Sequence, residues 1–492
     1  SIATTGAAQV RALQRHDGVC GMADGSGLTF DELMGDESGS LAAALAAGQA
    51  MLRDTPVAEL LGRVGQTIES IPQAPWPDKR WFQRSYGRAR TDHPDELLAG
   101  HGLLYLTEQR KLFLDCTGGH YQMTWGYEHP ELTALLLDGI ERGIVWDNHS
   151  NIPPAPVKRL AGRLIELLDP GADFGAPAGD GERLNTVLTG CATGSVACAA
   201  AMKMQLVHYR REKQRRGDPV FITLDGNYHG TDLFAQRLRG MWPEYFRGVE
   251  IVMVQPNDPD ELDTIFARYG ERVAAFWAEP IMMNREAIVI EPEYLHLGRR
   301  LCDQTGASMA LDEIQTGFWF PEVVYARRIG LEPDFLVLGK GMTAGLHPLS
   351  ALVYRGKYDL LEQYDAISTN GNAALAAYVA LGCLALIERQ APRIERAGRH
   401  YHERVAELPE RFPELLVEAR GTMHMSALKF RRVEDALGFH RAAVERGLWL
   451  RAHAYHEGHS TILTKFALPM DEQVADFVVE AMAELLTERR WS

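Results

Sequence analysis

Between residues 184 and 355 the chain repeats one pattern, a short apolar run followed by a helical or loop-forming stretch. The runs are NTVLT (185–189), PVFITLD (219–225), EIVMVQ (250–255), AAFWAEP (274–280), SMALDE (308–313), FLVLGK (335–340) and SALVYR (350–355). Runs this short and this apolar read as strands buried on both faces, and helical connections between them imply a mostly parallel sheet. Such sheets gather their ligands at the carboxyl ends of the strands. Glu279, Asp312 and Lys340 all fall at those ends. The expected fold class is α/β, with a large domain built on this sheet.

The rest of the chain sets the frame. Its 492 residues suffice for two or three domains with sizeable cores. Residues 1–95 carry short helical patterns such as SLAAALAAGQAMLRDTPVAELLGRVGQTIESI and no catalytic motif, so they are expected to form an N-terminal extension of undisclosed role. From about residue 371 amphipathic helices (AALAAYVALGCLALIERQ and EQVADFVVEAMAELLTERR) flank a few strands, as in a smaller α+β domain. A formal charge of −15 argues against general affinity for nucleic acid or anionic membrane. The basic run RREKQRRGD (210–218) is expected to end a helix, capped by Gly217. No apolar stretch reaches the roughly 20 residues that span a bilayer, and no signal-peptide pattern is present. Six cysteines without paired spacing fit free thiols in a reducing, cytoplasmic setting, and packing accounts for Cys191 and Cys198.

The chemistry converges on one amine and one acid. Lys340, between Gly339 and Gly341, lies where apolar surroundings favour a neutral amine and where glycines let a ligand approach closely. Read alone, the favoured reading is a surface lysine in a glycine turn. It does not belong to a P-loop, because Gly341 follows it and no upstream glycine has the right spacing. Asp312 ends an apolar run, where a carboxylate is costly to bury without a cation or donor. It is equally a strand-end helix cap, and the adjacent Glu313 is an equal candidate for the structural acid. An amine and an acid at one sheet edge can hold a pyridine aldehyde by its carbonyl carbon and its ring nitrogen. That pairing points to pyridoxal 5′-phosphate (PLP), whose protonated ring acts as an electron sink. The cofactor's phosphate needs backbone N–H groups at a helix start. LTGCATGSVACAAAMK offers them, with Gly194 and Ser195 as the cradle. DGNYHGTD places Tyr228 and His229 just after a strand, where an aromatic ring can stack on the pyridine face. Together with Glu279 these residues complete the cofactor-binding candidates read from strand ends and turns.

Taken in this order the motifs resemble the class III (ornithine, acetylornithine and 4-aminobutyrate type) aminotransferases of PLP fold type I. The resemblance covers roughly residues 100–480 and is specific around 308–318 and 332–353. It implies a mostly parallel seven-stranded sheet in a large domain (153–370). The smaller α+β domain would be assembled from residues 96–152 and 371–492. It further implies that Lys340 is the Schiff-base lysine and Asp312 the ring-nitrogen partner. Ile314 would pack on the ring, Gln315 reach its phenolic oxygen and Tyr228 stack on it. The family's phosphate-binding threonine from a partner subunit falls near Ser368–Thr369, and GYEHP (126–130) resembles its Gly-His-x-His-Pro element. The implied assembly is a homodimer with active sites between subunits.

The sequence departs from that family at its substrate positions. Val196 stands where a glutamate is usual, Trp319-Phe320 replaces Gly-Arg, and Asn284 replaces the glutamate of ornithine-type members. Lys465 is the nearest match to the family's carboxylate-binding arginine, and lysine is a poor bidentate substitute. His453, His456 and His459 suit a substrate entrance better than a metal, so no metal ligand is assigned. The expected function is a PLP-dependent aminotransferase acting on an amino acid or amine. The alternative is another PLP reaction on the same scaffold: γ-elimination or replacement, carbon–carbon bond formation, racemisation or decarboxylation. A non-catalytic PLP-binding regulator is disfavoured because residues 1–95 lack a basic helix-turn-helix pattern.

Overall fold

The computed structural model describes residues 29–36, 38–74, 93, 95–146, 152–171, 181–362, 364–366, 368–454 and 458–489. All seven apolar runs form strands of one sheet: β1 (Leu184–Cys191), β2 (Val220–Leu224), β3 (Glu250–Val254), β4 (Val273–Ala278), β5 (Ser308–Asp312), β6 (Phe335–Leu338) and β7 (Ser350–Arg355). Their order is β1-β7-β6-β5-β4-β2-β3. Pairing is parallel from β6 across to β3, and β7 runs antiparallel to both β1 and β6.

Strand alternation supplies two apolar faces. Phe221, Ala275, Trp277, Ala310 and Val337 meet the alanine-rich helix Gly194–Val207 through Ala197, Ala200, Ala201 and Met204. Ile222, Phe276, Leu311 and Leu336 point the other way, into a larger core that includes Val379, Leu384 and Ile387 of the long helix Ala374–Ala406. The later turns of that helix, through Tyr401 and Val405, enter a second core. It is the one helix among the described residues long and apolar enough to resemble a membrane span, a candidate the sequence reading did not find. Its apolar side is buried in these two cores.

The second core joins segments from both ends of the chain. Leu41, Ala44 and Leu52 of helix Ser40–Asp54 pack with Leu98, Leu106 and Leu112, and with Phe439, Val478 and Met482 near the C-terminus. Residues 40–71 are thus an integral part of the smaller domain's core, and an apolar helix face that had no visible partner in sequence is accounted for. Glu128 of GYEHP ties this layer down by accepting from Gln49 and from Arg53 Nε at 3.0 Å. The basic run does end a helix, at Glu212, but the cap is Lys213, whose N–H returns to the His208 carbonyl. Gly217 (φ +82°) lies four residues beyond it in the segment that follows, and Arg215 donates to the Glu271 and Thr305 carbonyls at 2.6 and 2.5 Å.

Candidate active site

A cavity of about 530 Å³ opens at the carboxyl edge of the sheet. Gly194, Ser195, Tyr228, His229, Ile314, Gln315 and Lys340 all line it. Asp312 and Glu279 stand behind this wall, each 4% exposed. Nine of the sequence-derived candidates therefore meet at one place. Ser368 and Thr369 do not line the cavity of their own chain. Ser368 is held by its N–H and Oγ to the Gly190 carbonyl at 2.9 and 3.1 Å, and Thr369 is exposed.

Each side chain is placed by the end of its strand. Asp312 closes β5 and shares a face with Ala310, toward the helix Gly194–Val207. Its Oδ2 accepts from His229 Nδ1 at 2.7 Å and from the Cys198 thiol at 3.6 Å, and its Oδ1 accepts from the Ile314 N–H at 3.0 Å. The carboxylate fixes the histidine tautomer, because only Nδ1–H can donate to it. Glu313, one residue on, points to the opposite side and accepts from the N–H groups of Tyr325 and Ala326, both at 2.7 Å. That resolves the choice between the adjacent acids: Glu313 is the structural one.

Glu279 follows β4 and accepts from the Tyr228 N–H at 2.8 Å. Burial pushes its carboxyl up to about 7, offset in part by His229 and Lys340. Lys340 begins the turn Lys340–Thr343 with a φ of +39°, a strained backbone position of the kind found at functional sites. Burial lowers its amine below the usual lysine range, while Asp312 and Glu279 pull it back up. The turn is anchored by Thr124, whose hydroxyl donates to the Gly341 carbonyl at 2.7 Å. A methyl at Gly194 would overlap Ile314 Cδ1 and lie 2.9 Å from Cγ1, so a larger residue there would force Ile314 to shift.

The aminotransferase class-III model matches residues 97–486. The chain belongs to the class III aminotransferases. The family is PLP-dependent, and this class III aminotransferase is a PLP-dependent enzyme. Solved structures share its fold. The ornithine aminotransferase of Toxoplasma gondii ME49 is 22% identical with a TM-score of 0.71, covering 84% of this chain and 93% of that one. The acetylornithine aminotransferase of Elizabethkingia anophelis is 21% identical with a TM-score of 0.68, covering 80% and 94%. A PLP-bound amine transaminase from an uncultivated Pseudomonas species is 21% identical with a TM-score of 0.68, covering 84% and 99%.

The residues of this class III aminotransferase fit PLP. The helix starting at Gly194 presents N–H groups that have no intrahelical acceptor. His229 Nε2 and Gln315 Oε1 are buried without a hydrogen-bond partner, as expected of groups that wait for a ligand. Two positions were missed in sequence. Cys198, assigned to packing alone, donates to Asp312; it lies one helical turn after Gly194, and that spacing was its signal. Gln122 also lines the cavity, from the segment just before GYEHP.

Lys465 is a correction. Its amine is fully buried, donates to the Gln315 carbonyl and lies 3.5 Å from the centre of the Trp319 ring, away from the cavity wall. It cannot meet a substrate carboxylate from there. Trp319, read in sequence only as the loss of a Gly-Arg pair, supplies the ring that cages it, with its indole N–H on the Phe466 carbonyl at 3.1 Å. His453 is buried on a strand of the small domain, and His456 lies outside the described residues.

Proposed function

We propose that this enzyme moves an amino group from an amine or amino-acid donor to a carbonyl acceptor in two half-reactions, with Lys340 and Asp312 as its central pair. The observation that carries the proposal is their joint placement: a buried amine in a strained turn, acted on by the charges of Asp312 and Glu279 across one cavity. When bound, PLP supplies a carbonyl that condenses with primary amines and a ring that accepts the electrons left when a Cα proton departs.

The chain does the rest. Lys340 Nζ tethers the cofactor, and burial keeps a fraction of it neutral and nucleophilic. Lys340 Nζ is also the base placed to take a proton from a donor's Cα and to hand it back on the same side of the cavity once PLP is bound. Asp312 holds the proton on the ring nitrogen; His229 and Cys198 fix its carboxylate by hydrogen bonds at 2.7 and 3.6 Å. Tyr228 and Ile314, both in the cavity wall, would hold the ring between them, and Glu279 fixes the Tyr228 backbone through its N–H. Gln315, in the cavity wall, would meet the phenolic oxygen. Gly194 and Ser195 receive the phosphate, completed by Ser368 and Thr369 from a second copy of the chain in a homodimer. The exposure of Thr369 supports that last role.

The test is a spectrum of the PLP-loaded enzyme during titration with amines and amino acids. A donor should convert the aldehyde form to the amine form, and a keto acid should restore it. Release of carbon dioxide, or of an elimination product, with the aldehyde form retained would replace this reading with another PLP reaction.

A further inference from the structure

Two adjacent residues outside the cavity hold different parts of the molecule. Directly after Glu279-Pro280 the chain makes a short hairpin, pairing Ile281 with Val289 and Met282 with Ile288. Its tip is left-handed at Glu286 (φ +57°) and Ala287 (φ +54°). Side chains resist that conformation, so two consecutive non-glycine residues in it need support from their surroundings. Glu286 finds that support in the smaller domain. Its Oε1 accepts from Lys429 Nζ at 2.6 Å, from the Ser460 N–H at 2.9 Å and from the Thr461 hydroxyl. Arg420 adds a longer contact to Oε2 at 3.5 Å. Arg420, Lys429 and Thr461 belong to three neighbouring strands of one sheet, Leu416–Thr422, Met425–Phe430 and Thr461–Lys465. Burial alone would raise the Glu286 carboxyl, but donation from Lys429, Thr461 and Ser460 outweighs it and holds the group below the ordinary range. The tip is thus tied to the smaller domain by a largely buried ion pair.

Arg285, one residue earlier, holds the other side. Its Nη1 donates to Asp225 Oδ2 at 2.6 Å and its Nη2 to Gln255 Oε1 at 3.4 Å. Asp225 opens the loop that follows β2 and carries Tyr228 and His229 into the cavity wall. The guanidinium lies so close that a methyl on Gly226 would sit 2.6 Å from Arg285 Nη1. The base of the hairpin grips the same loop, because Glu279 accepts from the Tyr228 N–H at 2.8 Å. One hairpin therefore holds the loop at two points and is itself anchored in the smaller domain. Adjacent residues of a tight turn share one backbone, so a shift of Glu286 displaces Arg285.

We infer that the Arg285–Glu286 turn couples the smaller domain to the Tyr228–His229 wall of the cavity, with both residues acting as positioning residues. Neither is in the cavity wall itself, and their effect passes through the loop. The inference deepens the proposed function, and its bearing on the cofactor rests on that reading.

The experiment perturbs the smaller domain and reads the loop. Lys429→Met removes the cation from Glu286, and Lys429→Arg keeps it. Hydrogen exchange of residues 225–230 is followed by mass spectrometry in the full-chain apoprotein, with residues 308–312 of β5 as the internal reference. The amides of Asp225, Asn227 and Tyr228 are hydrogen-bonded, so they report opening of the loop. Lys429→Met should speed exchange there about threefold or more, with residues 308–312 unchanged and Lys429→Arg close to wild type. The increment should vanish in an Arg285→Ala background, where the link to the loop is already cut. PLP affinity, from fluorescence titration, should fall about threefold or more with Lys429→Met, and only when Arg285 is present. Glu286→Gln keeps an oxygen for Ser460 and Thr461 and repeats the test if Lys429→Met does not fold. Exchange at 225–230 that stays at the wild-type rate overturns the coupling. So does a rise of equal size in the Arg285→Ala background, or one matched at residues 308–312 in both Lys429→Met and Glu286→Gln. If the wild type takes up no PLP, the aminotransferase reading fails on its own, and the exchange rates still decide the coupling.

Discussion

Replacing Asp312 by asparagine tests the centre of the proposal, because the change is nearly isosteric and alters only charge and donor pattern. The amide oxygen can keep the Ile314 N–H, now 3.0 Å from Oδ1. The amide NH₂ then faces His229 Nδ1 and the Cys198 thiol, which donate to Oδ2 at 2.7 and 3.6 Å in the wild type. Two donors cannot share that space, so His229 must move its proton to Nε2, a small cost because Nε2 has no protein partner. The fold should survive, with the thermal midpoint of the apoprotein nearly unchanged. What disappears is the negative charge opposite the ring nitrogen. A hydrogen bond to a charged group contributes about 1.5–3 kcal/mol, so PLP affinity should fall roughly 10- to 150-fold. Fluorescence titration of the apoprotein with PLP measures this directly, and the ¹⁵N shift of labelled cofactor should report a deprotonated ring nitrogen. An affinity within about twofold of wild type, with the ring still protonated, would refute the pairing.

Three further outcomes follow from the same geometry. Lys340→Ala should abolish the borohydride-fixed covalent adduct with PLP, read by intact mass; an adduct of wild-type yield would move the tether elsewhere. Gly194→Ala puts a methyl onto Ile314, and overpacking of this kind costs about 1–3 kcal/mol, so PLP affinity should drop by about tenfold or more with little change in secondary structure. Glu279 carries a carboxyl raised to about 7 by burial. Between the unfolded value near ~4.3 and 7 the folded apoprotein binds one more proton than the unfolded chain, so stability falls as pH rises through that window, by up to about 1.4 kcal/mol per unit. Glu279→Gln keeps an oxygen for the Tyr228 N–H and should flatten that slope in urea unfolding at pH 5 and 7; an unchanged slope would show that the carboxyl is ionised throughout.

Much of this was readable from residue order because strands buried on both faces leave uninterrupted apolar runs. Their ends are where polar side chains become affordable, and Asp312 and Lys340 stood out for that reason. The choice between Asp312 and Glu313 was not readable: strand alternation sends the two to opposite faces, but only packing against Gly194–Val207 says which face holds the site. Lys465 shows a second limit. The replacement of Gly-Arg by Trp319-Phe320 and the arrival of a lysine at 465 read as two separate losses, and a one-dimensional sequence offers no way to pair them. In three dimensions the ring of the first encloses the amine of the second at 3.5 Å, with the Gln315 carbonyl as its acceptor. Two departures thus become one cross-domain contact against the Gln315 backbone. Burial also drives the Lys465 amine toward its neutral form, so the pairing takes out of the cavity the amine that the sequence offered for a substrate carboxylate.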